Sequence, residues 1–202
     1  MPIRYLVPFI LMLTLAGCGA ARTTAPDVRY YTLEYQSPTL TGPQAKAVIA
    51  LNRFGVAPEF NTGKIVYRDL SFGRQEYVYH QWRSAPQALV ADYLRRDLQQ
   101  SGLFLAVNQP GSSLPATHQL EGMVEEWMEV DGEDRWLATA SLTITLLDLR
   151  ARAIPEQVLF QRTYHGSEPA AKKNPGSVVE AMSRVMRALS GRIIADVHAA
   201  VK

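Results

Sequence analysis

The only cysteine of this 202-residue sequence, Cys18, is its most reactive side chain, and it closes the run Leu15-Ala16-Gly17-Cys18. Without a second cysteine no intramolecular disulfide can form, so packing alone must hold the fold. The residues before the thiol indicate its use. Arg4 supplies a positive charge, Tyr5 to Leu15 is apolar apart from Pro8 and Thr14, and Ala16-Gly17 are small enough for a peptidase. The stretch falls short of the about 20 residues that a membrane-spanning helix needs. It reads as a removable export signal. A single unpaired thiol is odd in an exported chain, and covalent acylation would remove the oddity.

The remaining chemistry-bearing residues form no constellation. His80, His118, His165 and His198 are scattered, without an H-E-x-x-H pattern or paired metal spacing, and no Gly-x-Ser-x-Gly elbow is present. No Gly-x-x-x-x-Gly-Lys-Ser/Thr phosphate loop occurs, so the chain is not an ATPase motor. The histidines are expected on the surface or at strand edges, with His198 near the negative end of the last helix. The expectation is a non-enzymatic chain with no metal and no cofactor other than covalent lipid on Cys18. A net charge of +2, with 20% charged and 47% apolar residues, carries no basic nucleic-acid footprint.

One segment stands out as a surface. Between Glu121 and Asp134 lie seven acids: Glu121, Glu125, Glu126, Glu129, Asp131, Glu133 and Asp134. Strict alternation puts Trp127 on one face with Glu125 and Glu129, opposite Val124, Met128 and Val130. Trp127, Glu125 and Glu129 are therefore the candidate partner interface, since tryptophan is enriched at binding hot spots. The competing reading packs Trp127 under the tether or against a neighbouring strand. Trp82 reads as a core or helix-entry residue. Lys172-Lys173 lies in a Pro- and Gly-containing loop that is solvated or, in the sharper reading, touches anionic head groups.

These residues must be positioned by recognisable elements. Residues 19–28 are small and polar and read as a tether of roughly 35 Å when extended. Tyr30 to Tyr35 and Ala47 to Val56 read as strands, and Lys64–Arg68 with Arg74–His80 as a hairpin around Asp69-Leu70-Ser71-Phe72-Gly73. Leu89, Val90, Tyr93, Leu94 and Leu98 recur at helical spacing, with a Ser84/Gln87 capping box and Gly102 at the end. Leu103–Val107 reads as a short strand. Leu120–Val130 and the alternating Trp136, Ala138, Ala140, Leu142, Ile144 and Leu146 form a second hairpin through Asp131-Gly132. Val158, Phe160 and Tyr164 mark a further strand, followed by a loop through Gly166 to Pro169. A final helix starts at Ser177, boxed by Glu180, with Val178, Met182, Val185, Leu189, Ile193 and Val197 as its apolar stripe. The predicted fold class is α+β, a mostly antiparallel β-sheet with two long helices packed on one face. The predicted organisation is a signal peptide over 1–17, an acylated Cys and tether over 18–28, and one domain over 29–202.

Leu15-Ala16-Gly17-Cys18 resembles the lipobox of bacterial lipoprotein precursors, which are cut before the cysteine and acylated on it. The absence of Asp after the following glycine implies, by the same resemblance, transfer to the outer membrane of a Gram-negative cell. The rest of the chain resembles the ABC-type transport auxiliary lipoproteins, the PqiC-like group. The resemblance is carried by Tyr30-Tyr31-x-Leu33, Phe54-Gly55-Val56-Ala57-Pro58, Ile65-Val66-Tyr67-Arg68, Tyr77-x-Tyr79-His80-Gln81-Trp82 and Ser101-Gly102-Leu103-Phe104. Where that family commonly has Arg before the Trp, Gln81 stands here, and it is assigned no role. The resemblance implies a periplasm-facing accessory of lipid transport. Its partners would be an MCE-domain protein and, through it, an inner-membrane ABC permease and ATPase, and homo-oligomeric assembly suits such a docking role. The rival expectations are a lipoprotein that itself binds lipid or lipopolysaccharide in an apolar groove, and a structural lipoprotein of an outer-membrane assembly or secretion machine.

Overall fold

The computed structural model of the chain describes residues 27–69 and 71–202. Cys18, the lipobox and most of the tether lie outside the described residues. Among the described residues nine strands form one sheet: β1 (Arg29–Tyr31), β2 (Ala45–Leu51), β3 (Gly55–Val56), β4 (Lys64–Arg68), β5 (Gln75–Trp82), β6 (Phe104–Val107), β7 (His118–Asp131), β8 (Trp136–Asp148) and β9 (Val158–Pro169). The helices are α1 (Pro86–Gln100), the short α2 (Ile154–Gln157) and α3 (Pro175–Ala200), with a 3₁₀ turn at Pro58–Phe60.

Strand β7 is the spine. One side pairs with β8 along its whole length, and β8 pairs in turn with β9, both antiparallel. The other side of β7 is shared by β2, β3 and β4 in succession, all parallel to it. β5 then pairs antiparallel with β4, and β1 and β6 add parallel to β5 and β2. The sheet is therefore mixed, with most strand pairings parallel, and the expectation of a mostly antiparallel sheet is corrected. Period-2 alternation reveals a half-buried strand and its hairpin partner, but not which distant strand adds to its other edge.

The two long helices do pack on one face, touching each other, α1 over β6 and β7 and α3 over β8 and β9. The even residues of β8 from Ala138 to Leu146 are fully buried, as are Val178, Met182, Val185, Leu189, Ile193 and Val197 of α3. Helix starts differ from expectation. Ala85 precedes α1 with no side-chain cap, and Pro86 at the first helical position supplies the preset φ instead. In α3 the cap is Asn174, whose side-chain oxygen accepts from Ser177 N at 3.0 Å, because Pro175 occupies the first position. Gly102, at φ +67°, ends α1 as expected. The predicted loop at Gly166 to Pro169 is the end of β9. There a helix side chain shields the free edge: Arg192 Nη1 donates to His165 O at 2.9 Å and Arg184 Nη2 to Pro169 O at 2.7 Å.

The segment between β1 and β2 is tied down by charge. Asp97 of α1, fully buried, accepts from Tyr35 Oη at 2.8 Å and from Ser37 Oγ at 2.5 Å. Arg96 pairs with the same carboxylate and lies over the rings of Tyr35 and Tyr93 at 4.4 and 4.5 Å. His198 Nε2 donates to Pro43 O at 2.8 Å, closing the far end of that segment onto α3.

Candidate functional site

Strand β7 does not alternate regularly, and this relocates the expected interface. Val124 pairs with Leu142 and Glu126 with Ser141, so Glu125 is an extra residue without a partner on β8. Such a bulge inverts the side-chain phase of everything after it. Trp127 then pairs with Ala140 and Glu129 with Ala138, on the helix-covered face that Val124 and Leu142 occupy before the bulge. Trp127 is 1% exposed, its ring edge-to-face with Trp82 at 5.8 Å, and Glu129 is 0% exposed. Glu125 alone stays outside. The three residues do not share a solvated face, and Trp127 and Glu129 are interior residues rather than a contact surface. Trp82 is a core residue, as one of its two readings had it.

Glu129 sits at the end of an aromatic ladder. Tyr77 Oη donates to Glu129 Oε1 at 2.9 Å, the Tyr77 ring packs on Tyr67 at 4.7 Å and on His80 at 5.5 Å, and Tyr31 stacks on His80 at 5.7 Å. The second oxygen, Oε2, is buried with no donor in reach, as is Oδ1 of Asp131 two residues on. Burial, then the neighbouring Asp131 carboxyl, pushes the Glu129 pKa up to about 8. The Glu129 carboxyl therefore keeps its proton near neutrality. Burial, then Glu129, pushes the Tyr77 phenol well above its usual range, so it remains a donor. Among the described residues no group of three or more His, Cys, Asp or Glu could hold a metal ion. The role of the Tyr77–Glu129 pair is to lock β5, and through it β1, to the spine.

His165 is exposed on the edge strand β9, as expected, while two other histidines are not on the surface. His118 is buried rather than surface-exposed, with its pKa lowered by burial and then by Arg150. His198 is also buried, against Phe104 and Gly42, so its expected role at the helix end gives way to packing. A groove of about 820 Å³ runs between the end of β2 and α1, lined by Asn52, Arg53, Gln87, Asp92, Arg95 and Asn108 among others. Its lining is mixed, with Leu51, Phe54, Ala88 and Ala91 beside those polar groups, whereas the helix–sheet interface proper is filled by fully buried aliphatic side chains. That is not the apolar channel that acyl-chain binding would use.

Besides the exposed Tyr30, Val78, Tyr79 and Leu105 along β1, β5 and β6, exposed apolar side chains lie at both ends of the spine, whose 14 residues span roughly 45 Å. At the end where β7 stops, Arg68 lies beside Val130, so the β4–β5 turn projects there beside the β7–β8 turn. Phe72 on that turn is 101% exposed. Lys173 donates to the carbonyls of Gly132 and Glu133, tying the loop before α3 to the same end. At the opposite end Asp148 pairs with His118, and the β8–β9 connection follows. It exposes Leu149, Ile154, Val158 and Leu159, Ile154 at 77%. Neither Phe72 nor Ile154 was singled out from the sequence. The signal available was an aromatic or branched aliphatic residue inside a turn, where solvent exposure is the rule.

No curated protein matches the chain. Solved structures share its fold. A protein from Xanthomonas campestris superposes with a TM-score of 0.75 at 17% identity, over 85% of this chain and 96% of the other. A hypothetical protein from Chlamydia trachomatis gives a TM-score of 0.56 at 15% identity, over 78% and 98%. A family model described as the ABC-type transport auxiliary lipoprotein component matches residues 31–194, which takes in every strand of the sheet except the start of β1 and nearly all of α3. The chain belongs to the family of ABC-type transport auxiliary lipoprotein components.

Proposed function

We propose that this chain is a non-enzymatic, lipid-anchored periplasmic subunit that docks an ABC/MCE-type lipid transport assembly at the outer membrane. The observation that carries the reading is the family match over residues 31–194, set behind the Leu15-Ala16-Gly17-Cys18 lipobox. Two features of the fold support it. The core is packed solid rather than hollowed for a substrate, and the chain has distinct apolar patches at opposite ends of a rigid spine. Acylated Cys18 fixes the position, and several acyl chains on one residue hold far more firmly than one, at roughly 0.8 kcal/mol per buried CH₂.

The patch around Ile154 is the partner-facing surface in this reading. The short helix α2 buries none of its own residues, so its apolar side chain serves no packing purpose within the chain. The test is co-purification of an MCE-domain protein from the same bacterium with the full-length lipoprotein. Ile154→Asp should weaken that capture while leaving the melting temperature unchanged. Failure of the wild-type chain to retain any MCE-domain protein overturns the reading, and undiminished capture by Ile154→Asp removes this patch from it.

A further inference from the structure

We infer that the β4–β5 turn, through Phe72, rests in the head-group layer of the phospholipid membrane to which the chain is tethered. This rests on the lipid-anchored reading above. The argument begins with strand direction. β4 runs parallel to β7, toward the end where β7 stops. β5 runs back from that end, antiparallel to β4, and β1 lies parallel to β5 with Arg29 beside His80 and Tyr31 beside Trp82. The first residue of β1, Arg29, therefore faces the end that bears the β4–β5 turn, not the end that bears Ile154.

The tether then limits where that end can be. Residues 19–26 join Cys18 to the described chain, and eight residues reach at most about 29 Å when fully extended. An acylated Cys18 keeps Asp27, and with it the start of β1, within that distance of the lipid, with the turn farther along β5 on the side from which β1 begins. The turn itself is suited to the contact. Asp69 Oδ1 accepts from the backbone N of Ser71 at 2.8 Å, which holds the turn and leaves Phe72 entirely in solvent. Arg68 flanks it in sequence, with a long stem that can lie along the interface while its guanidinium group reaches phosphate, and Arg74 on the other side pairs with Glu59 at 3.1 Å. The same edge exposes Tyr30, Val78 and Tyr79, because β5 carries extra residues between its pairings with Val66 and Lys64. A single inserted aromatic would bind weakly alone. Tethering raises its effective concentration at the surface, so a weak contact suffices to set orientation.

The test uses full-length protein with Phe72→Cys, labelled there with an environment-sensitive fluorophore and reconstituted into phosphatidylethanolamine/phosphatidylglycerol vesicles. A second preparation carries the label at Ile154→Cys. Intact mass first shows whether Cys18 is acylated and so unavailable to the label. With acylation present, the label at 72 should shift to the blue and be quenched by nitroxide-bearing lipid, while the label at 154 should show neither. An acylated chain whose label at 72 behaves as in water overturns the docking inference and leaves the anchor standing. A chain without acyl groups at Cys18 overturns both. Because Phe72 makes no packing contact, its substitution should leave the melting temperature at the wild-type value, which confirms that a negative result is not misfolding.

Discussion

Replacing Glu129 by Gln should abolish a pH dependence of stability that the wild-type chain carries between about pH 4.5 and pH 8. The carboxyl is fully buried, its folded pKa is raised from 4.5 to about 8, and burial followed by Asp131 is the cause. The folded chain thus keeps a proton that the unfolded chain releases. The group's contribution is fully present below about pH 4.5, declines as pH rises, and is exhausted once pH passes about 8. Each unit of displacement is worth about 1.36 kcal/mol, so the total loss across the window is on the order of 5 kcal/mol. That is a large part of the roughly 5–15 kcal/mol that holds a domain together. Glutamine has the shape of the protonated acid: its oxygen can accept from Tyr77 and its amide can donate toward Asp131. Urea unfolding followed by tryptophan fluorescence at intervals from pH 5 to pH 9 compares the two chains directly. Glu129→Gln should match the wild type near pH 5 and exceed it in stability by pH 8.5. Other titrating groups are common to both chains and cancel in the difference. Two stability curves that run parallel through the whole window would refute the assignment of a retained proton to Glu129.

The interior placement of Trp127 has its own consequence: Trp127→Ala should cost about 3–5 kcal/mol and lower the melting temperature sharply, measured by thermal unfolding. An interface residue on a solvated face would leave stability nearly unchanged. Gly122 is required by its neighbour, since a Cβ built there would meet the Phe54 ring at 2.2 Å. Gly122→Ala should destabilise by about 1–3 kcal/mol, and adding Phe54→Leu should recover part of the loss in a double-mutant cycle. The variants at Phe72 and Ile154 should behave oppositely to both, with intact melting temperatures and altered contacts outside the chain.

Much of the local structure is legible in the sequence. The alternation from Trp136 to Leu146 locates β8 and its buried face, and the stripe from Val178 to Val197 locates the buried side of α3. What could not be read is non-local or hinges on a single residue. The parallel joins of β2, β3 and β4 to β7 depend on packing between segments distant in sequence, and no periodicity encodes them. The bulge at Glu125 leaves no mark in composition, yet it turns Trp127 and Glu129 from outward to inward. The capping boxes failed because Pro86 and Pro175 each sit at the first helical position and fix the start elsewhere. The site suffered most from this. An acidic, tryptophan-bearing strand read as a surface is instead a core strand with a buried, protonated Glu129. The apolar ends of the molecule lie in turns, where pattern analysis assigns no face.

The central claim is that one end of this spine belongs to the membrane and the other to a transport partner. Photocrosslinking from position 154 in the intact cell envelope tests it most directly. The account predicts an adduct between the acylated chain and an MCE-domain protein. An adduct only with lipid, or none with any MCE-domain protein, would contradict it.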